Sequence, residues 1–316
     1  MKTISKVASA FAVASLLAGC ATTSTSTADR RYSEDNSRAY NLAQAGGLRD
    51  ARDTALGDAE YSALGRDLGR GVGDAAFFAS PTGLGLSSGA SIGLGLASSL
   101  LSAPGHMQRD SAFAFVPANE VRNHTEAHEL IRHHFKSAAV EAARSQGYEA
   151  EYSESLLDYT STAKRIGMSI RYVDRDRGCY SSEDTDAPSV RHQCLVSLLV
   201  PPLNNNPVSA PKALGENGMV YEYPATDHNR SMRLTFSNGE EGSLERHAIA
   251  KAISEKMPEW FFIYLTSDDN NPPMIFEKGT PELFVTRNRV GGGVASPVLS
   301  HHRAYGSVPR RFTKND

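Results

Sequence analysis

Four histidines, His124, His128, His133 and His134, crowd into one short run that also carries Glu126 and Glu129. His124 and His128 stand four positions apart, so on a helix they share a face and form a two-ligand candidate for a metal ion. The H-E-x-x-H order is missing, because Thr125 and Glu126 follow His124, and no third ligand is identifiable. The expectation is therefore of solvated or half-buried histidines, with no metal and no cofactor. Ser87 lies in Gly85-Leu86-Ser87-Ser88-Gly89, the literal G-x-S-x-G of a nucleophile elbow. That elbow needs a strand before the serine and a helix after it, whereas here both flanks are more glycine and serine, so no hydrolase is assigned. The remaining reactive side chains are three cysteines, and the first, Cys20, directly follows Leu17-Ala18-Gly19.

What precedes Cys20 gives it a role. Lys2 and Lys6 supply a basic flank, Val7 to Leu17 an apolar run, and small residues adjoin the cysteine, which is the layout of a secretory signal and not of a spanning helix. The segment resembles the lipobox of bacterial lipoprotein precursors. The resemblance implies cleavage after residue 19, acylation of Cys20 and stable attachment through several acyl chains. Because Ala21, and not Asp, follows the cysteine, the family's sorting habit implies the outer membrane, with the periplasmic side favoured. In such an oxidising compartment Cys179 and Cys194 are free to pair. They flank one polar stretch, YSSEDTDAPSVRHQ, and form no C-x-x-C pattern, so a structural disulfide closing a hairpin-like loop is expected, contributing about 3 kcal/mol.

Residues 20–36 are small and polar and read as a tether of roughly 50 Å at full extension. Residues 37–108 read as a helical, glycine-zipper region. Leu64, Leu68 and Val72 recur every fourth residue beside a second row, Gly65, Gly69 and Gly73, and a further row follows at Gly85, Gly89 and Gly93. Glycine costs a helix about 1 kcal/mol relative to alanine, so these rows are read as faces that another backbone approaches closely. Thr82 to Ala103 contains no charged residue and, as a helix, spans roughly 33 Å, which matches a bilayer's hydrocarbon layer. Its five glycines and six serines make it only modestly apolar, which leaves burial in protein as the other expectation.

Residues 109–288 have the composition of a globular domain. The pattern predicts strands at Ala112 to Val116, Tyr148 to Tyr152, Met168 to Tyr172, Leu195 to Val200, Met219 to Tyr223, Met232 to Phe236 and Trp260 to Leu265, with further strands at Met274 to Phe276 and Leu283 to Thr286. It predicts helices over Asn123 to Gln146, closed by Gly147, and from a cap at Ser243 to Pro258. The fold class expected is α+β, a mainly antiparallel sheet with helices on one face. Residues 289–316, with a Gly-Gly-Gly run and several arginines, read as a disordered basic tail.

A formal charge of -3, with both signs mixed along the chain, offers no extended basic surface, so nucleic acid is not an expected partner. Lipobox, glycine rows and α+β domain together loosely resemble outer-membrane lipoproteins of conjugation and secretion systems. That resemblance implies a structural, assembly or binding component of an envelope complex, a homo-oligomer or a partner of other envelope proteins. The alternative is a periplasmic enzyme, a hydrolase or metal-dependent, with its site near His124 and His128.

Overall fold

The computed structural model describes residues 31–58, 61–62, 64, 107–160, 163–184, 193–201, 206–215, 217–226, 231–238, 244–268 and 271–288. Its elements in chain order are α1 (Arg38–Ala45), β1 (Thr54–Leu56), β2 (Ser111–Pro117), α2 (His124–Ser145), β3 (Glu149–Thr160), β4 (Ala163–Val173), β5 (Cys194–Val200), β6 (Val208–Ser209), β7 (Met219–Tyr223), β8 (Arg233–Asn238), α3 (Arg246–Lys256), β9 (Phe261–Leu265), β10 (Met274–Glu277), β11 (Thr280–Leu283) and β12 (Val285–Arg287). The fold is α+β, with a six-stranded antiparallel sheet in the order β11-β10-β9-β2-β7-β6 and a four-stranded one in the order β3-β4-β5-β8. β1 and β12 form a separate parallel pair.

β2 and β9 lie side by side at the centre of the six-stranded sheet and are buried on both faces, which is why each is apolar without interruption. Ala112, Ala114, Val116, Phe261, Ile263 and Leu265 turn towards the main core, where α2 and α3 pack on each other. Phe113, Phe115, Phe262 and Tyr264 turn the other way, into a second core covered by α1. The two long helices thus share one layer, while α1 adds a cover on the opposite face. α1 approaches so closely that a Cβ added at Gly46 would stand 2.5 Å from the Phe113 ring.

Local chemistry accounts for the helix ends. The Asn123 carboxamide accepts from the Thr125 and Glu126 amides, and Glu126 reaches back to the Arg122 amide, so the start of α2 is closed reciprocally. Gly147, at φ +82°, follows its last turn as the glycine predicted to end it. α3 differs from expectation: Ser243 lies outside the described residues, the N-cap is Glu245, and its side chain makes no capping bond. β5 carries an apolar run that suits burial on both faces, yet it is buried on one: Cys194, Val196, Leu198 and Val200 reach the core, while Leu195 and Leu199 are half-buried on the far face, because α2 covers this sheet on one side. β3 and β4 make a hairpin longer than the pattern suggested, paired from Glu149↔Val173 to Thr160↔Ala163.

The segment before β2 also enters the fold. Asn41 and Gln44, polar yet buried on α1, hold the incoming chain through hydrogen bonds with Ser33 and Arg31. Farther on, Leu56 and Leu64 are buried in the main core. Of residues 37–108, the described part includes the helix α1 and the strand β1. The glycines Gly65, Gly69, Gly73, Gly85, Gly89 and Gly93, together with Cys20 and the basic tail, lie outside the described residues.

Candidate functional site

A group of ionisable side chains forms where three segments meet. Antiparallel pairing sets Ser111 against Tyr264, so Asp110, just before β2, lies beside Thr266, just after β9, and accepts its amide at 2.9 Å. Arg246, the first residue of α3, reaches over both. It donates to the two Asp110 oxygens at 3.2 Å, to the Thr266 carbonyl at 2.9 Å and to Asp268 at 2.8 Å. His247 follows on α3, buried, with Nδ1 3.4 Å from Asp268 Oδ2 and 3.4 Å from the Asn271 amide nitrogen. Asn271 in turn donates to Asp268 from its backbone and its side chain.

Burial governs the charges here. It pushes the His247 imidazole down to about 4, with the neighbouring Arg246 adding to the effect and Asp268 opposing it, so the ring is neutral near pH 7. Burial also raises Asp110, against the pull of Arg246 and the Thr266 amide. An imidazole beside a carboxylate is the orienting half of a nucleophilic triad. Asn271 contacts the same ring nitrogen. Through Arg246 the arrangement also joins the start of α3 to the ends of β2 and β9.

A second cluster repeats the plan on the other face. Arg38, the first residue of α1, forks onto the Glu277 carboxylate, its Nε donating at 2.5 Å, and its Nη1 donates to the Ala213 carbonyl at 3.2 Å. Glu282 stands on the neighbouring strand β11, across from Ile275. It is half-buried as a residue while its carboxyl group is well enclosed. Burial pushes that carboxyl up to about 7, Glu277 adds to the rise, and Arg38 only partly offsets it.

The sequence-predicted residues fare differently. Cys179 and Cys194 are brought together as a disulfide with Cα atoms 5.3 Å apart, joining the turn after β4 to the start of β5. His124 and His128 do lie one turn apart at the start of α2, but His128 is buried, and burial together with Arg132 holds its ring below the usual range. His134 packs edge-on against Trp260 at 5.8 Å. Among the described residues no group of three or more His, Cys, Asp or Glu side chains is placed to hold a metal ion. Sequence reasoning missed both arginine clusters. The partners of Arg246 lie 136 and 22 positions away and that of Arg38 lies 239 away, so no spacing rule connects them. No family model, no curated protein and no solved structure matches this chain.

Proposed function

We propose that the chain is a lipid-anchored outer-membrane protein whose folded body serves as a structural, assembly or binding component of an envelope complex. The observation that carries the reading is how directly the body follows the lipobox cysteine. Arg31 and Ser33 are already bonded to α1, so only residues 21–30 separate Cys20 from folded structure. Ten residues reach roughly 35 Å at most, which keeps the body against the membrane surface. A short leash suits a part that works in place among membrane neighbours. The polar clusters agree, since both are spent on joining helices to the sheet.

Two measurements test this. Intact mass of the mature protein and of Cys20→Ser should show acyl chains on the first and none on the second. An unmodified mature Cys20 refutes the anchor. Gentle detergent extraction followed by sizing should then give a species larger than one chain, and Gly89→Leu should reduce it to a single folded chain. A wild-type monomer with nothing attached refutes the assembly role.

A further inference from the structure

We infer that the outer edge of β3 is a docking strand for an extended basic segment of a partner protein, taken up by strand addition to the four-stranded sheet. Among the described residues β3 pairs with β4 alone, continuously from Glu149↔Val173 to Asp158↔Lys164, and no strand lies along its other edge. The remaining sheet ends are shorter or interrupted. β6 has 2 residues, β8 has 6, and β11 has 4 with Pro281 among them, whereas β3 has 12 and no proline. Short edges and proline are two means by which sheets avoid further pairing, and β3 has neither. Ser153, Glu154 and Ser155 at its middle are exposed. Such an edge takes up an extended peptide through main-chain hydrogen bonds, while alternate side chains set the choice of partner.

Charge decides that choice. Glu149, Glu151, Glu154 and Asp158 lie on β3, which carries no lysine or arginine. Arg132 on α2 pairs with Glu154 and, at 2.7 Å, with Glu129, and Arg171 on β4 pairs with Glu151 at 3.0 Å. Yet these arginine side chains are only 19% and 17% exposed, against 33%, 60% and 36% for the three carboxylates, so the guanidiniums lie under the acids they hold. Glu149 is exposed as well. An arriving strand therefore meets carboxylates on both faces, Glu149 and Glu151 on one and Glu154 on the other. Basic side chains two positions apart suit the first pair, because they too share a face of a strand. A second copy of β3 would bring four acidic residues against four, so a partner of opposite charge is assigned and not self-pairing. This names the partner chemistry of the binding role proposed above and rests on that role, though not on the lipid anchor.

The probe is a synthetic peptide of the length of β3 that alternates lysine with threonine, titrated into the full mature chain at low salt. Two companions are the same peptide with a central proline and a version with glutamate for lysine. The lysine peptide should bind and slow hydrogen exchange across residues 149–160 while β5 and β8 stay unchanged. The proline peptide should bind about tenfold more weakly through lost main-chain hydrogen bonds, and the glutamate peptide at least as weakly through repulsion. Glu149→Lys, at an exposed position, should weaken the lysine peptide with the urea midpoint unaltered. No binding at about 1 mM peptide, equal binding of either companion, or binding without slower exchange in β3 would overturn the inference. Exchange at 149–160 that slows in the chain alone as its concentration rises would give the edge to a second copy and overturn it too. Intact mass and sizing of the same preparation report anchor and assembly separately, so failure of the peptide in an acylated, assembled sample sinks the docking edge alone.

Discussion

Arg246 and Arg38 each open a helix, each at the end where the helix dipole disfavours a cation, and each is held there by carboxylates from the sheet. The two settings differ in enclosure and in balance. Arg246, with a side chain 17% exposed, satisfies Asp110 and Asp268 together and also a backbone carbonyl. Arg38, 41% exposed, spends its fork on Glu277 and leaves Glu282 beside it. α1 compensates with a proper cap, because Ser37 accepts from the Tyr40 amide and its hydroxyl donates to Asp53, whereas α3 has no side-chain cap. The difference shows two ways of fixing a helix start to a sheet: by a closed ion network, or by a cap plus an ion pair that carries an excess carboxylate.

The sharpest way to break the comparison is to remove each guanidinium. Arg246→Leu leaves Asp110, whose side chain is 11% exposed, enclosed without its cation, and losing one partner of such a group costs about 3–5 kcal/mol. Arg38→Leu unpairs a more solvated Glu277 and should cost about 1 kcal/mol. Urea unfolding of the two variants checks this; equal losses would mean that enclosure does not distinguish the clusters. The disulfide serves as a reference remote from both. Replacing Cys179 and Cys194 by alanine releases a loop of 15 residues' separation and should cost about 3 kcal/mol on the chain-entropy model, leaving the contrast between the arginine variants unchanged. A contrast that vanished in this background would show that the disulfide and a cluster act as one unit. Gly46→Ala probes α1 from its other end: the added methyl meets a packed Phe113 ring, an overpacking cost of about 1–3 kcal/mol. Hydrogen exchange should then rise at α1 and remain unaltered at α3.

The parts of this fold that were legible in the sequence are those whose neighbours are local or whose burial is extreme. β2 and β9 announce themselves because Phe113 and Phe262 on one face and Ala112 and Ile263 on the other are all apolar. α2 announces itself through its period and its two ends. The disulfide was legible because the two cysteines lie close along the chain. Leu195 and Leu199 misled for the opposite reason: they have the composition of core residues, and only the position of α2 decides that they face away from it. α1 gave a weak signal because Asn41 and Gln44, polar residues, occupy buried positions where they bind Ser33 and Arg31. The clusters themselves depend on sheet order and on helix placement, which bring Asp110 to Thr266 and Arg38 to Glu277, and such long-range pairing is a property that no local pattern encodes.

The smallest effect per pH unit gives the finest test of the comparison, because the two clusters titrate in opposite senses. His247 has a folded value of about 4 against an ordinary 6.5, so the folded state binds its proton less tightly than the unfolded chain does. Its contribution is complete above 6.5 and is lost as the pH falls towards 4. Glu282 has a folded value of about 7 against an ordinary 4.5, so the folded state holds that proton more tightly. Its contribution is complete below 4.5 and is lost as the pH rises towards 7. Between 4.5 and 6.5 the two oppose each other, each with a slope of at most about 1.4 kcal/mol per pH unit. Removing one should expose the other. Relative to the parent chain, Glu282→Gln should gain stability as pH rises through this window and His247→Gln should lose it. Half-buried Asp110, Asp53 and His134 and buried His128 also titrate away from their ordinary values, but they are common to parent and variant. Urea midpoints at half-unit steps from pH 4.5 to 6.5, at constant salt, measure both slopes. Parallel profiles for Glu282→Gln and the parent would mean that Arg38 serves both carboxylates after all, and the distinction between the two helix starts would be lost.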